Sequence, residues 1–190
     1  MKRPAPWLEF REASVHIVGP HDLREDAPMT TTLLPSPLGP ILIEADARWL
    51  RAIHILGDRT APDDIDDAPA EGPAAEAIRQ LQAYFDDGAT AFDLPLLPAA
   101  TPRGAALRDA IVAIPAGDTL SYGALARIAG SAPRAIGQAC ARNPFPIVVP
   151  CHRVVGSGGT IGHYSGGRGI ITKTWLLDHE RRPERRGGLL

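Results

Sequence analysis

The sequence predicts an α+β protein built from two subdomains. Three short β-type runs followed by one amphipathic helix occupy residues 30–98, and helical periodicity dominates residues 99–182. A proline-bounded linker, Leu94 to Pro102, separates these two regions. We therefore expect a sheet-and-helix subdomain followed by a mainly helical one. Residues 1–29 are an N-terminal extension without assigned function, and residues 183–190 are predicted to be a disordered tail.

The predicted sheet consists of three strands. Thr32 to Leu34 and Ile41 to Ile43 flank a turn at Ser36 to Gly39, and Trp49 to Leu56 supplies the third strand. Because the connections are short, we expect an antiparallel meander. A helix from Ala74 to Asp86 follows. Its predicted core face is an apolar stripe at three- and four-residue intervals: Ala74, Ala77, Ile78, Leu81 and Phe85.

The second subdomain contains a predicted helix-turn-helix. A first helix around Leu107 to Ile114 precedes it. Ser121 can cap a short helix from Tyr122 to Ala129, and a second short helix runs from Pro133 through Arg142, since proline is tolerated in a first turn. Two short helices joined by a glycine turn, here Gly130, are typical of DNA-binding proteins but also occur as ordinary packing.

Composition limits the class of protein. Among the 190 residues there is no apolar run long enough to span a membrane, so no membrane partner is expected. Met1 to Trp7 lacks the apolar core and cleavage site of a secretory signal, which predicts a cytoplasmic protein. Cys140 and Cys151 are the only cysteines, and they have neither the number for a disulfide framework nor the spacing of a metal site. We therefore predict no metal.

Charge is divided unevenly along the chain. Residues 1–100 carry eight Lys/Arg against 17 Asp/Glu, whereas residues 101–190 carry 12 against five. A basic domain favours binding to nucleic acid, because cationic side chains displace the counterions condensed on phosphates. A solvated basic surface explains the same numbers, so charge alone does not decide between the two.

Cys151 is the strongest candidate for a nucleophile. A thiol reacts as its thiolate, which forms where a histidine, a cation or a helix N-terminus stabilises the anion, and His152 and Arg153 follow directly. A short buried strand, Ile147 to Val149, is predicted to deliver the cysteine to the mouth of a cleft, and a terminal helix, Ile170 to Glu180, can pack back toward it. From these residues alone, an inert buried thiol fits equally well.

A joint pattern of residues around Cys151 adds to this motif. It comprises, in chain order, Ser121-Tyr122-Gly123, Asn143-Pro144, Pro150-Cys151-His152-Arg153-Val154-Val155, Tyr164 and Glu180. In these residues the chain resembles the methylated-DNA protein-cysteine methyltransferases, which repair O6-alkylguanine. The resemblance implies an N-terminal ribonuclease-H-like subdomain with little chemistry at 30–98. It also implies a winged helix-turn-helix-like alkyltransferase domain at 99–182.

The same resemblance implies catalytic roles. Cys151 would accept the alkyl group, and His152 would take the thiol proton through a bridging water. Glu180 would fix the imidazole, in the manner of a catalytic triad. Tyr122 would donate its hydroxyl toward N3 of the departing guanine, while the backbone around Ser165 would support the oxygen.

The remaining implied contacts involve the extruded base and the DNA. Arg134 would fill the gap that the base leaves in the duplex, and the small residues Ala135 and Gly137 would let their helix approach the minor groove closely. The set implied to contact base or DNA is Arg134, Ala135, Gly137, Asn143, Arg153, Val154, Tyr164 and Ser165.

Duplex DNA containing O6-alkylguanine is therefore the expected partner of a monomeric protein that needs no cofactor. O4-alkylthymine is a second candidate substrate. Two other functions stay open. A DNA-binding protein of the alkyltransferase-like type recognises lesions without transfer, although such proteins normally carry tryptophan in place of Cys151. A thiol hydrolase acting on esters or peptides would also use Cys151 and His152.

Overall fold

A computed structural model describes residues 29–62, 65 and 70–181. The predicted N-terminal extension, apart from residue 29, and the predicted tail lie outside these residues. The α+β class is confirmed, with an antiparallel sheet and its helix preceding a mainly helical part. The elements, in chain order, are β1 (Thr30–Leu34), β2 (Ile41–Ala45), β3 (Leu50–Ile55), α1 (Gly72–Asp87), α2 (Pro102–Val112), β4 (Leu120–Ser121), α3 (Tyr122–Ile128), α4 (Pro133–Ala141), β5 (Val154–Val155) and α5 (Ile170–Arg181).

The three strands form the predicted antiparallel meander. The sheet order is β1-β2-β3, with Leu34 opposite Ile41 and Ile41 opposite Ile55. The central strand β2 is buried along most of its length, and α1 packs against the sheet. Burial of this apolar surface is the main stabilising term for the subdomain, at roughly 25 cal/mol per Å² removed from water. β3 is an edge strand of the sheet, and its outer edge bonds to a later part of the chain, since the amide of Ile53 donates to the carbonyl of Pro144.

The buried face of α1 differs from the predicted stripe. Tyr84 is fully buried, whereas Ile78 and Phe85 are only partly buried at the border of the core. The physical reason is that the hydroxyl of Tyr84 has a buried partner, because it donates to Glu180 at 2.9 Å. The helix ends at Gly88, where φ is +67° and an added Cβ would lie 2.7 Å from the carbonyl oxygen of His179. Only glycine therefore permits this close approach of α1 and α5.

The predicted helix-turn-helix is present as α3 and α4. The hydroxyl of Ser121 caps α3 by accepting from the amide of Ala124 at 3.1 Å, and Pro133 lies in the first turn of α4. A parallel two-stranded pair, β4 with β5, joins this unit to the segment that contains Cys151. In the part of the chain that the structure describes, no helix is both long enough and apolar enough to cross a bilayer.

The prediction of a strand at Ile147 to Val149 is wrong. These residues form a tight buried turn, in which the amide of Val149 donates to the carbonyl of Phe145 at 2.8 Å and Ile147 has φ of +74°. Prolines lie two residues apart at the start of the segment, Pro144 and Pro146, and each lacks the amide donor that a strand needs. The apolar run is buried because it packs into the core, so its burial did not require a sheet.

Candidate active site

Cys151, His152 and Arg153 form a single 3₁₀ turn between Pro150 and β5. All three side chains are buried, and Cys151 is 4% exposed. The thiol is thus more enclosed than the sequence analysis expects of a sulfur at the mouth of a cleft. A reacting group must be small or must enter a fitted pocket to reach it.

Asn143 holds the thiol. Its side-chain amide donates to the sulfur of Cys151 at 3.2 Å and to the carbonyl of Val149 at 2.8 Å, while its oxygen accepts from the amide of Phe145 at 3.0 Å. Burial raises the pKa of the Cys151 thiol, and the Asn143 amide and the charge of Lys173 oppose that rise. The resting cysteine is therefore a protonated thiol that needs a base.

His152 is a suitable base, and its tautomer follows from its partner. Nε2 of His152 lies 2.7 Å from Oε1 of Glu180. Burial raises the pKa of Glu180, but the hydrogen bonds from His152 and Arg153 and the charge of Arg153 outweigh this and lower it to about 2. The carboxylate is thus an acceptor at neutral pH, so Nε2 carries the hydrogen. Burial also lowers the pKa of His152, which keeps the ring neutral and leaves Nδ1 as a proton acceptor.

Nδ1 of His152 is buried and has no hydrogen-bond partner among the described residues. Buried polar atoms are normally paired, and the exceptions concentrate at functional sites. This nitrogen is on the ring that follows Cys151 directly, and it is the atom left to receive a proton.

Glu180 is fixed by donors from both halves of the chain. Arg153 donates to it through Nε at 3.0 Å and Nη2 at 2.9 Å, the amide of Gly117 donates at 3.2 Å, and Tyr84 donates from α1. Arg153 also donates to the carbonyl of Ile114 at 2.5 Å. The expectation that Arg153 contacts DNA or base is wrong, because its guanidinium points into the protein to neutralise Glu180.

The two tyrosines of the predicted pocket both lie near the thiol. Tyr122 begins α3, and burial raises its pKa, with the two cysteines adding to the rise. It is therefore a hydroxyl donor at neutral pH. Tyr164 is 6% exposed, and its hydroxyl has no partner among the described residues. Ser165, by contrast, is exposed on the loop that follows.

Lys173 is a residue of the site that the sequence analysis missed. Its ammonium donates to the carbonyl of Val154 at 2.7 Å, and the side chain is completely buried. The carbonyl of Val154, a residue that the resemblance places in contact with base or DNA, therefore already accepts one hydrogen bond. One lone pair remains for a second donor.

The start of α4 offers a free cation beside open space. Arg134 is exposed and has no hydrogen-bond or ion-pair partner within the described ranges. Ala135 is half-buried, and a Cβ added to Gly137 would find no atom of the protein within 4 Å. The surface around these residues can therefore accept an approaching ligand without rearrangement.

A cavity of about 520 Å³ lies between α2 and α4. Its lining includes Asn143 and Phe145 but not Cys151, so it adjoins the site without containing the sulfur. Within residues 29–62, 65 and 70–181, no group of three or more His, Cys, Asp or Glu side chains is arranged to hold a metal ion.

The fold and the site together define a class of protein in which a buried cysteine, histidine and glutamate lie beside a helix-turn-helix. Family models of the 6-O-methylguanine DNA methyltransferases match it twice: the ribonuclease-like domain over residues 29–98 and the DNA-binding domain over residues 104–182. A methylated-DNA–protein-cysteine methyltransferase from Mus musculus is 38% identical over 181 residues, which cover 85% of each chain. The chain belongs to the methylated-DNA–protein-cysteine methyltransferase family.

Bacterial relatives show the same similarity. The protein of that name from Mycobacterium leprae is 36% identical over 148 residues, covering 77% of this chain and 88% of the relative. The crystal structure of Mycobacterium tuberculosis OGT in complex with DNA matches with a TM-score of 0.68 at 35% identity, covering 80% of this chain and 92% of that one.

Proposed function

We propose that this chain repairs DNA by transferring the alkyl group of O6-alkylguanine to Cys151, once per protein molecule. The observation that carries the proposal is the buried set of Cys151, His152 and Glu180 beside a helix-turn-helix with a free arginine. The named relatives and the DNA complex of a similar protein support it.

The reaction is an in-line displacement at the alkyl carbon. The sulfur of Cys151 forms a bond to that carbon while the bond from carbon to O6 of guanine breaks, and its electron pair stays on the guanine. The thiol proton passes to Nδ1 of His152 through water, and Glu180 stabilises the imidazolium that forms. The product is a thioether, which no residue of the site can cleave, so the protein acts once.

The departing guanine needs a proton or a strong hydrogen bond. Tyr122 supplies its hydroxyl toward N3, and it is protonated at neutral pH because burial raises its pKa. The backbone at Ser165 supports the oxygen, and the buried ring of Tyr164 walls the pocket. The carbonyls of Cys151 and Val154 accept from the exocyclic amine, which distinguishes guanine from adenine.

The target carbon lies inside the duplex, so the nucleotide must be extruded, at a cost of a few kcal/mol. Arg134 fills the resulting gap, and the narrow surface at Ala135 and Gly137 enters the minor groove. Asn143 contributes by holding the sulfur at the base of the pocket.

The wider setting is also part of the proposal. The ribonuclease-H-like subdomain spans residues 30–98 and the alkyltransferase domain spans residues 99–182. The protein acts as a monomer in the cytoplasm, on O6-alkylguanine first and on O4-alkylthymine as a second substrate, without a cofactor.

Incubation with a duplex that contains O6-methylguanine tests the proposal. Intact-protein mass spectrometry should show the gain of one methyl group and a stop after one equivalent of DNA. Tryptic cleavage after Arg134, Arg142 and Arg153 places the two cysteines in different peptides, residues 135–142 and 143–153, so the acceptor is identified directly.

Matched variants distinguish the alternatives. Cys151→Ser should bind the duplex without gaining mass, and Cys140→Ser should still gain one methyl group. Methyl found on residues 135–142 would overturn the assignment of the acceptor. Binding of the wild type without any mass gain would indicate a lesion-recognition protein, and continuous turnover would indicate a hydrolase.

A further inference from the structure

Lys173 is a buried cation without an acidic partner among the residues that the structure describes. The residue is 0% exposed, and within the described part of the chain the only hydrogen bond of its ammonium goes to the carbonyl of Val154. Among the described residues it forms no ion pair with a carboxylate, although the same helix holds Glu180 seven positions later. The chain has 18 arginines but only two lysines. Lys173 is the only lysine that the structure describes, because the other is Lys2.

A buried ammonium is unfavourable unless something compensates its charge. Taking an ammonium out of water costs several kcal/mol, and one neutral carbonyl offsets only part of this. A lysine in such a place either loses its proton or lies next to an anion. The site contains one group that becomes an anion during the reaction, which is the thiol of Cys151.

The contacts of α5 bring the ammonium of Lys173 to the short segment that begins with that thiol. Residues three, four and seven positions apart share one face of a helix, and the buried face of α5 contains Lys173, Leu176, Leu177 and Glu180. This face packs on the Cys151–Arg153 turn. Glu180 holds His152 and Arg153 from one end, and Lys173 holds Val154, directly after the turn, from the other.

The electrostatic environment of Lys173 agrees with this arrangement. Burial lowers its pKa, and the groups that oppose the lowering are the two thiols, Cys151 first and Cys140 second. In return, the charge of Lys173 lowers the pKa of both thiols. The influence is reciprocal, as it must be for two groups that interact directly.

We propose that Lys173 is a positioning residue of the transfer reaction, and that its buried ammonium is the counter-cation of the Cys151 thiolate. The inference rests on the proposed function, because it assigns the charge to the same reacting sulfur. His152 removes the proton, and Lys173 stabilises the anion that remains. On alkylation the sulfur becomes a neutral thioether, so Lys173 loses its counter-ion.

Other titratable groups face the thiol from every element packed against it. Tyr122 on α3 and Tyr164 on the following loop stay protonated, because burial raises the pKa of each. Burial likewise raises the pKa of Cys140 on α4, to about 12. His152 is kept neutral by burial. Arg153 lies in the same turn, but its charge is paired with Glu180. Lys173 is thus the group of this set whose positive charge has no carboxylate partner among the described residues.

The pH dependence of Cys151 alkylation by iodoacetamide tests the proposal without DNA. The rate is followed on the tryptic peptide 143–153, in a Cys140→Ser background. Lys173→Met removes both charge and donor, whereas Lys173→Gln keeps a neutral donor for Val154. Both variants should shift the pH profile upward by one unit or more and slow alkylation at pH 7 at least tenfold.

Leu177→Ala is the matched control, since it removes buried contacts from the same face of α5 without changing charge. Its pH profile should coincide with that of the wild type. The proposal is overturned if folded Lys173→Met or Lys173→Gln reacts with the wild-type profile, or if Leu177→Ala shifts as far as they do. A shift in Lys173→Met that is absent in Lys173→Gln would assign the effect to the hydrogen bond and would also overturn it.

A second measurement keeps the wild-type side chain at position 173. Lysine-specific isotope labelling gives two NMR signals, from Lys2 and Lys173. Capping Cys151 with iodoacetamide in the Cys140→Ser background should lower the pKa of Lys173 by one unit or more, while that of Lys2 does not move. An unchanged titration of Lys173 overturns the proposal even if the lysine variants fail to fold.

The two proposals fail in different ways. If the wild type accepts methyl from DNA but its thiol does not respond to substitution of Lys173, the proposed function stands and the counter-cation proposal fails. If the thiol responds to substitution of Lys173 but the protein accepts no methyl from DNA, the counter-cation proposal stands and the proposed repair function fails.

Discussion

Glu180 provides a quantitative test of how the site is held together. Its buried carboxylate accepts from Tyr84, Gly117, His152 and Arg153. The pKa of Glu180 falls from its ordinary value of 4.5 to about 2. This difference corresponds to about 3 kcal/mol of stability at neutral pH. Because the pKa is lower in the folded state, the stabilisation is complete above pH 4.5 and is lost as the pH falls through about 2.

We therefore expect Glu180→Gln to lower the free energy of unfolding at pH 7 by about 3 kcal/mol, since it leaves the guanidinium of Arg153 buried without its carboxylate. Urea denaturation at pH 7 and pH 3 measures this. At pH 3 the wild type has lost about 2 kcal/mol of the same contribution, so the two proteins should differ much less. Both proteins carry the same other carboxylates, so the difference between their free energies of unfolding reports the contribution of Glu180 alone.

Glu76→Gln is the control for this experiment. The pKa of Glu76 is also lowered to about 2, chiefly by its hydrogen bond from Arg79, but this pair lies on the exposed face of α1. Water and salt screen it, so its removal should change stability far less. The reasoning would be refuted if Glu76→Gln and Glu180→Gln lowered the free energy of unfolding equally. It would also be refuted if the wild type were more stable than Glu180→Gln by as much at pH 3 as at pH 7.

Three further substitutions test other parts of the structure. Gly137→Leu should keep or raise stability, by up to about 1 kcal/mol, because the added side chain enters open space on a helix, yet it should weaken DNA binding in fluorescence anisotropy. Unchanged affinity would contradict the contact of α4 with DNA. Tyr84→Phe keeps the buried ring but removes the donor to Glu180, so urea denaturation should show a loss of about 1 kcal/mol, and an unchanged midpoint would show that the hydrogen bond has no net effect. Tyr122→Phe should slow methyl transfer from DNA by about 100-fold while leaving iodoacetamide reactivity of Cys151 close to that of the wild type; equal slowing of both reactions would mean that Tyr122 acts on the thiol instead of the leaving group.

The sequence predicts the local elements well, because each has a strong local signal. Ser121 and Pro133 mark the starts of α3 and α4, and Gly88 marks the end of α1. The proximity of Cys151, His152 and Glu180 is also anticipated, although only through resemblance to a family. Nothing in a spacing of 28 residues between His152 and Glu180 dictates a contact of 2.7 Å.

The parts that the sequence does not predict depend on long-range pairing. Tyr84 and Arg153 carry no local sign that their partner is Glu180, and an arginine after Cys-His is as compatible with DNA contact as with burial. Lys173 has one local signal, since it lies seven residues before Glu180 on the same helix face as two leucines. A cation at a core position of an amphipathic helix predicts a buried charge, but the identity of its counter-ion requires the fold.

The edge of β3 shows how the N-terminal subdomain contributes to the site. The amide of Ile53 donates to the carbonyl of Pro144 at 2.8 Å, and the carbonyl of Ile55 accepts from the amide of Gly167 at 3.0 Å. The first bond anchors the turn that brings Asn143 to the sulfur, and the second anchors the loop that follows Tyr164. Alternate residues of one strand edge point the same way, so a single strand sets the separation of these two walls. The sheet and α1 therefore fix the two segments on either side of the proposed base pocket, and Tyr84 of α1 also donates to the carboxylate of Glu180.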